Sequence, residues 1–416
     1  MKETHNTYKI KKHYNKLIQE ELKKQEVVFK NSWKWRIGSI FVEFIVLCQN
    51  IVKSPLKIKQ HFRVYYNSFQ KIKLNGTFST GIEEVINTKF NFSAGVILDE
   101  FSYDCFKFEF QAKKIYPSTI RTESIEDWKF LLVESAWRGN NNTWTGKIGS
   151  YLGNYYTDLK YLIKRCNSLN IPTIFWNKED PIHYAHFLKA AKLFDIVLTT
   201  DSESIPNYKK DLAHEYIYAM PFAAQPKLHF KNNLENRKNK ICFAGSYWNN
   251  KYHHRNLALE EMLTAAKPYG LDIYDRNFYR VNNWKEYQFP DKFHEHIVGN
   301  LSYEETCDAY RDYRMFINVN SVTASPTMIS RRVFELLASG TPILSNPTNA
   351  IQNLFPKDLI QVYSDIDELS EILESMMTDD TKWESISKKG SDFITKNYTY
   401  THRVNFILDI LEKNMI

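Results

Sequence analysis

Short apolar segments alternate with helical stretches along most of this chain, and this alternation constrains the fold more than any other feature. In the first half the apolar segments are 93–99, 128–134, 171–176 and 195–200. In the second half they are 240–245, 270–275, 315–320 and 343–345. Strands joined by helices must run parallel, with helices on both faces of the sheet. The sequence therefore predicts an α/β protein with two Rossmann-like domains.

Changes in composition divide the 416 residues into four predicted parts. Residues 1–91 form a basic helical segment, 92–232 the first Rossmann-like domain and 233–396 the second, while 397–416 form a terminal helix that could cross back to the first domain. A Pro-containing and then polar stretch at 221–239 links the two domains.

The positive charge of the chain is concentrated at its N-terminal end. Residues 1–75 contain 16 Lys and Arg against 5 Asp and Glu, a net charge of +11, which leaves −4 for the rest of a chain whose total is +7. A nucleic-acid enzyme would carry this charge around its cleft, so no nucleic-acid partner is expected. The interrupted apolar run at 34–52 is too short to span a bilayer. It either lies on an anionic membrane surface or packs against the protein itself.

The cysteines and the first thirty residues indicate the compartment. Five cysteines are scattered without metal-ligand or disulfide spacing, and no apolar signal segment is visible at the start. We therefore expect reduced thiols in a cytoplasmic protein, either free or peripheral on the inner face of the cell membrane. No bound metal and no cofactor are expected.

The stretch 325–345 predicts a binding site in the second domain. It reads as a helix that ends at Gly340, followed by a short strand, and it carries Arg331, Arg332 and Glu335 close together on the helix. Two guanidinium groups near a helix N-terminus suit a phosphate, and the carboxylate suits a neighbouring sugar hydroxyl. The alternative is an exposed ion pair on an ordinary helix.

Gly245 and Ser246 follow a predicted strand and open a loop before a helix. A glycine here lets the backbone approach a diphosphate, whose charge the helix N-terminus would stabilise. The sequence lacks the GxGxxG and GxxxxGK[ST] motifs, which argues against the dinucleotide and P-loop classes.

Polar residues also cluster after the strands of the first half, where ligands bind in parallel sheets. The densest group is 177–183, in which Glu179, Asp180 or His183 could act as the general base on an acceptor hydroxyl. Glu100, after the first strand, is a fourth candidate for that base.

Taken together, several of these segments resemble the CgeB-type (spore-maturation-like) glycosyltransferases, over roughly residues 92–395. The segments that carry the resemblance are 98–101, 133–140, 171–181, 199–201, 221–226, 243–247 and 332–340. The resemblance implies the GT-B fold, in which two Rossmann-like domains face a cleft. It also implies a metal-independent, hexosyltransferase-like enzyme that takes a nucleotide-sugar donor.

Site roles follow from the same resemblance. Glu335 matches the glutamate that binds the nucleotide ribose in related GT-B enzymes, Arg331 or Arg332 would meet the diphosphate, and Gly245 with Ser246 would pass close to it. Many retaining GT-B enzymes have a second glutamate eight residues earlier, where this chain has Thr327. This difference leaves open whether the reaction retains or inverts the sugar configuration.

The resemblance also suggests acceptors, namely a cell-envelope glycan, a teichoic-acid-like polymer or a lipid-linked acceptor. Two alternatives keep the fold. One is a polyol-phosphate transferase of the teichoic acid type with a CDP-linked donor. The other is a non-catalytic protein that binds glycans or nucleotides.

Overall fold

Two six-stranded parallel sheets organise the chain in a computed structural model that describes residues 86–149, 156–212, 214–278 and 284–414. The predicted α/β class with two Rossmann-like parallel sheets is confirmed in the described chain. The basic segment 1–85, including the apolar run 34–52, lies outside the described residues. In the part that is described, no helix has the length and apolar character needed to cross a membrane.

The first sheet has the strand order β2-β1-β3-β4-β5-β6, and every neighbouring pair is parallel. Its strands are β1 Ser93–Ile97, β2 Gln111–Lys114, β3 Trp128–Glu134, β4 Thr173–Asn177, β5 Ile196–Thr199 and β6 Ile217–Ala219. Its helices are α1 Glu100–Phe106, α2 Thr157–Ser168, α3 Tyr184–Ala191 and α4 Ile205–Leu212. The chain adds β2 on one side of β1 and β3 on the other, so a crevice opens at the carboxyl ends of β1 and β3.

The second sheet repeats this plan with the order β12-β11-β10-β7-β8-β9. Its strands are β7 Lys238–Gly245, β8 Leu271–Asp275, β9 Ile297–Gly299, β10 Tyr313–Asn318, β11 Ile343–Ser345 and β12 Gln361–Val362. Its helices are α5 His253–Ala266, α6 Tyr303–Asp312, α7 Arg331–Ala338, α8 Asn349–Leu354, α9 Ile366–Thr378 and α10 Asp380–Asn397. Here the switch in direction lies between β7 and β10.

Local sequence explains where these elements begin and end. The central strands are mostly apolar and, apart from Lys129 in β3, buried, as expected for strands covered by helices on both faces. Ser302 and Glu305 form a capping box at the start of α6. Helix α7 stops at Gly340, which has a φ of +66°. An added Cβ there would lie 2.7 Å from the Ser387 hydroxyl, so both conformation and space favour glycine.

The terminal helix α11, Tyr400–Lys413, lies against the first domain. Thr399 pairs with Ala224 as a parallel bridge, and the Tyr400 ring packs edge-on against Phe106 with centroids 4.8 Å apart. Arg403 donates a hydrogen bond to the Phe222 carbonyl at 2.8 Å. The last helix in sequence thus connects the second domain back to the first.

Candidate active site

A buried lysine lies at the crevice of the first sheet. The Lys178 ammonium is 2.8 Å from Glu134 Oε1 and 3.1 Å from Asp99 Oδ2. The side chains of Lys178 and Glu134 are 3% and 0% exposed. Burial raises the pKa of Glu134, and the Lys178 charge opposes that rise. These three residues follow or end β1, β3 and β4, which is why the parallel sheet brings them together.

Asp99 is ionised in this cluster. Burial opposes its ionisation, but the Lys178 charge and the backbone N–H groups of Gly139 and Arg138 outweigh burial and lower its pKa. A carboxylate held by so many donors is a weak base. The cluster therefore places fixed charges at the floor of the cleft and leaves proton transfer to other groups.

The Phe101 ring connects the two domains beside this cluster. The Lys178 ammonium and the Arg331 guanidinium each lie 3.9 Å from its centroid. Lys178 belongs to the first domain, and Arg331 begins helix α7 of the second. Cations at this distance are attracted by an aromatic ring. The position of Arg331 is therefore set from both domains.

Glu335 is buried, with a side chain 2% exposed, so the pair it forms with Arg331 is not the exposed ion pair of the alternative interpretation. Its Oε1 accepts from Arg331 Nη1 at 2.8 Å and from the Tyr303 hydroxyl at 3.3 Å, while Oε2 accepts from the Tyr310 hydroxyl at 3.1 Å. Both oxygens are thus engaged within the protein. Contact between Glu335 and a ribose stays a prediction and requires these tyrosines to move.

Other arginines of the second domain face the cleft without an acidic partner. Within the described ranges, Arg255, Arg276 and Arg332 form no ion pair with a carboxylate. Burial and the nearby charge of Arg332 lower the pKa of Arg255 to about 10. Arg276 is exposed by surface area, but partial desolvation and the nearby charges of Arg331 and Arg332 lower its pKa. Arginines that disfavour each other's charge would be stabilised by a bound anion.

The turn after β7 lies among these arginines. The Ser246 carbonyl accepts from Arg255 Nη2 at 3.0 Å, and the Gly245 carbonyl accepts from the Arg276 backbone N–H at 2.9 Å. An added Cβ on Gly245 would lie 2.7 Å from the Phe243 ring. The predicted pair Gly245 and Ser246 is therefore adjacent to two arginines that the sequence did not single out. In the sequence, these two arginines are marked only by position: Arg255 lies in the first turn of the helix after β7, and Arg276 directly follows β8.

The four candidate bases of the first domain lie in different surroundings. Glu179 and His183 are partly exposed, 28% and 31%, with 4.0 Å between Oε2 and Nε2. The charge of Glu179 favours the charged form of Arg276, so the two side chains lie within electrostatic range of each other across the domains. Glu100 is exposed at the start of α1, where its charge acts on Lys114 instead.

Asp180, next to Glu179, points into the protein. It is fully buried and accepts hydrogen bonds from Asn177 Nδ2 at 2.7 Å, the Thr199 hydroxyl at 2.6 Å and the Tyr208 hydroxyl at 3.0 Å. Burial raises its pKa to about 7, against the effect of these donors. In this arrangement Asp180 braces the loop that presents Glu179.

Thr327, at the position of the missing glutamate, joins the two domains. Its hydroxyl accepts from the Ser202 backbone N–H at 2.8 Å and donates to the Thr200 carbonyl at 2.9 Å. Nearby, the Ser325 hydroxyl donates to Asp201 Oδ1 at 2.6 Å. The segment leading into α7 is thereby attached to the carboxyl end of β5. In the described residues, no group of three or more His, Cys, Asp and Glu side chains is arranged to hold a metal ion.

Comparison with known proteins agrees with this architecture. Residues 230–409 match the sequence profile of the glycosyl transferase-like family, Glyco_trans_1_2. No curated protein matches the chain as a sequence relative. The matched range covers the second domain and most of α11, so the arginines and Glu335 all lie inside the matched range.

Two solved structures share the fold. The first is an alpha-glucosyltransferase in complex with UDP and a 13-mer DNA containing a central A:G mismatch, at 8% identity and a TM-score of 0.55 over 77% of this chain and 99% of that one. The second, an alpha-glucosyltransferase in complex with UDP-glucose and DNA containing an abasic site, also gives 8% identity and 0.55, over 77% and 98%. The alignment with TarM spans 68% of this chain but only 55% of that protein, at 10% identity and a TM-score of 0.43, and adds nothing to the fold assignment.

The fold and the family match define the class: the chain has the GT-B fold of glycosyltransferases. Its second half matches the glycosyl transferase-like family profile. None of these matches distinguishes the CgeB-type subfamily, so that part of the resemblance stays a prediction.

Proposed function

We propose that this protein is a glycosyltransferase that moves a sugar from a nucleotide-diphosphate-sugar donor to an acceptor hydroxyl. One observation carries the proposal. Arg255 and the backbone N–H of Arg276 donate hydrogen bonds to the turn after β7, and Arg332 lies 5.8 Å from the ring of Phe243 in the same strand. None of these three arginines forms an ion pair with a carboxylate among the described residues, and the partly exposed Glu179 and His183 follow β4 of the first domain. A cleft with unpaired cations on one wall and candidate bases on the other suits transfer away from a diphosphate.

The arginines would bind the donor and stabilise its leaving group. Guanidinium groups bind phosphate oxygens through paired, charge-assisted hydrogen bonds. Arginines that lie close together repel one another, and the negative charge of a diphosphate would offset that repulsion. As the bond between the anomeric carbon and the diphosphate oxygen breaks, negative charge grows on that oxygen, so preorganised arginines stabilise the transition state more than the ground state.

On the acceptor side, Glu179 or His183 would take the proton of the attacking hydroxyl. The Glu179 carboxylate acts on the charge of Arg276 in the second domain, and His183 Nε2 lies 4.0 Å from that carboxylate. Both side chains are partly exposed to solvent. The acceptor oxygen forms a bond to the anomeric carbon and passes its proton to one of these groups. Asp180 would position the loop rather than take the proton. Glu100 lies at the exposed start of α1, so it could act as the base only on an acceptor bound in a different position from one that reaches Glu179 and His183.

The remaining features of the proposal rest on the resemblance to CgeB-type enzymes. The reaction would be metal-independent and hexosyltransferase-like, and Glu335 would bind the ribose after Tyr303 and Tyr310 move. The acceptor would be a cell-envelope glycan, a teichoic-acid-like polymer or a lipid-linked sugar. Residues 1–75 would hold the protein on an anionic membrane face through their net charge of +11.

Nucleotide binding tests the proposal. We would measure the dissociation constants of UDP, GDP, CDP and ADP by calorimetry, with and without magnesium. Binding of one nucleotide is expected, and Arg276→Ala should weaken it about tenfold or more, the scale of a hydrogen bond to a charged group. Arg121→Ala is the control, because Arg121 is an exposed arginine that stacks on Tyr161 in the first domain.

The outcomes separate the proposed function from its alternatives. A preference for CDP would favour the polyol-phosphate transferase. Absence of binding by any nucleotide to the folded protein would refute the donor site and favour a non-catalytic protein. Equal affinity in Arg276→Ala and the wild type would remove Arg276 from the site.

A further inference from the structure

An exposed tryptophan lies next to the candidate bases, at the carboxyl end of β3. Trp137 is 38% exposed although it is one of the largest apolar side chains. Its ring stacks on His186, with centroids 4.8 Å apart and an interplanar angle of 24°. The rings of His183 and Phe187 pack against it in T-shaped geometry, with centroids 5.1 Å and 5.3 Å from that of Trp137. The aromatic ring is therefore supported from within the protein while part of it faces solvent.

The backbone under Trp137 is held rigidly. Gly139, two residues on, has a φ of +63°, and an added Cβ would lie 2.7 Å from Trp144 Cβ. The buried side chain of Asn140 donates to the carbonyls of Val96 and Ile115 at 2.7 Å and 2.8 Å. A large apolar ring on such a fixed turn loses little conformational entropy when a ligand binds to it.

Polar groups suited to hydroxyls surround this ring. His183 contacts it directly, and Glu179 lies 4.0 Å from His183. Arg138 is next in sequence, and its backbone N–H donates to Asp99 Oδ1 at 3.4 Å. Asp99 binds Lys178, which shares the Phe101 ring with Arg331 of the second domain, so this group lies where the two domains meet. The Trp137 indole N–H donates to no residue in the described part of the chain. One apolar face with a rim of donors and acceptors matches a pyranose ring, which has a C–H face and hydroxyls at its edge.

We infer that Trp137 is a stacking platform for a sugar ring of the acceptor, so that the acceptor is a glycan or glycoside. This inference rests on the proposed function, because it assigns the acceptor class for the same cleft. The sugar lies with its C–H face on the indole, and one of its hydroxyls points toward Glu179 and His183. A lipid chain would leave those polar groups unsatisfied, and an acyclic polyol phosphate has no ring face to stack.

Saturation-transfer NMR on the full chain tests this assignment. The probes are cellobiose, maltose and N,N′-diacetylchitobiose, with sn-glycerol 3-phosphate as the ligand without a ring. The variants are Trp137→Ala, Trp137→Phe and, as a matched control, Tyr216→Ala. Tyr216 is 39% exposed and precedes β6, at the opposite edge of the same sheet. Circular dichroism and thermal melting verify that each variant is folded.

We expect the ring C–H protons of at least one disaccharide to receive saturation from the wild type and from Tyr216→Ala. Trp137→Ala should weaken that disaccharide about three- to tenfold, the scale of an aromatic stacking contact, while Trp137→Phe retains most of the affinity. Equal affinity in Trp137→Ala, or binding of the glycerol phosphate alone, overturns the inference.

Nucleotide affinity measured on the same samples keeps the two proposals separate. A Trp137→Ala variant that loses nucleotide binding but not disaccharide binding shows that the indole stacks on the donor base, which also overturns the inference. A wild-type protein that binds the disaccharide through Trp137 but binds no nucleotide refutes the donor side of the proposed function alone.

Discussion

Replacing Lys178 with methionine would isolate the buried charges at the floor of the cleft. Methionine keeps the length of the side chain and its contact with Phe101 but removes the ammonium. Glu134, with a fully buried side chain 2.8 Å from that ammonium, would lose its cation. Asp99 would be affected less, because it is 20% exposed and keeps the backbone N–H of Gly139 at 3.0 Å.

The expected loss is about 3–5 kcal/mol of unfolding free energy at neutral pH, the range observed when one partner of a buried pair is removed. Burial already raises the pKa of Glu134, and Lys178 is the main influence that lowers it. Without Lys178 the folded-state pKa rises further above the unfolded value. Such a group stabilises the protein below its unfolded pKa, and that contribution is lost as pH rises through the folded pKa. The deficit of the variant should therefore grow between pH 5 and pH 8.

Urea unfolding followed by circular dichroism would measure this loss at several pH values. The matched control is the double variant Lys178→Met with Glu134→Gln, which removes both charges and should recover most of the lost stability. A loss below about 1 kcal/mol at pH 7.5, well under the range for a broken buried pair, would contradict the argument. A double variant no more stable than the single one would do the same.

Two further predictions concern polar groups that brace the cleft. Burial raises the pKa of Asp180 to about 7, so the wild type should lose stability between pH 4 and pH 7, by up to about 1.4 kcal/mol per unit, relative to Asp180→Asn. Parallel pH profiles for these two proteins would refute this, and an exposed Asp392→Asn variant should show no such difference. Thr327→Val removes two hydrogen bonds to the first domain and leaves the Ser202 N–H without its acceptor. The free energy of unfolding measured in urea should therefore fall by about 1–2 kcal/mol. Thr264→Val, at an exposed helical hydroxyl, is its control, and equal losses in both would refute the bridging role.

Sequence reasoning found the central strands because their signal is local. Strands β3, β4 and β10 are apolar runs with no polar alternation, which indicates burial on both faces. Strand β2 was missed, because Gln111–Lys114 is polar, short and at the edge of its sheet. Edge strands gain order from the neighbour they pair with, so their own composition says little.

The surroundings of the candidate residues could be predicted from the sequence only in part. Glu179 and Asp180 are neighbours in sequence and looked equivalent as bases, yet one lies within electrostatic range of Arg276 in the second domain and the other is buried in a hydrogen-bond network. Arg276 was not singled out, because a lone arginine after a strand has no distinguishing pattern. It became a candidate only because the structure brings it near Arg331 and Arg332, whose charges lower its pKa and which lie more than fifty residues later in the chain.

The sequence by itself determined that two parallel sheets form and that their carboxyl edges carry the polar residues. Alternation of strand and helix is a short-range property, and the parallel topology follows from it. The tertiary structure alone decided which polar side chains meet: Lys178 with Glu134, Thr327 with the end of β5, and the arginines with one another. These contacts join residues tens to more than a hundred positions apart. Their energies depend on burial and distance in three dimensions, and neither leaves a periodic trace in the sequence.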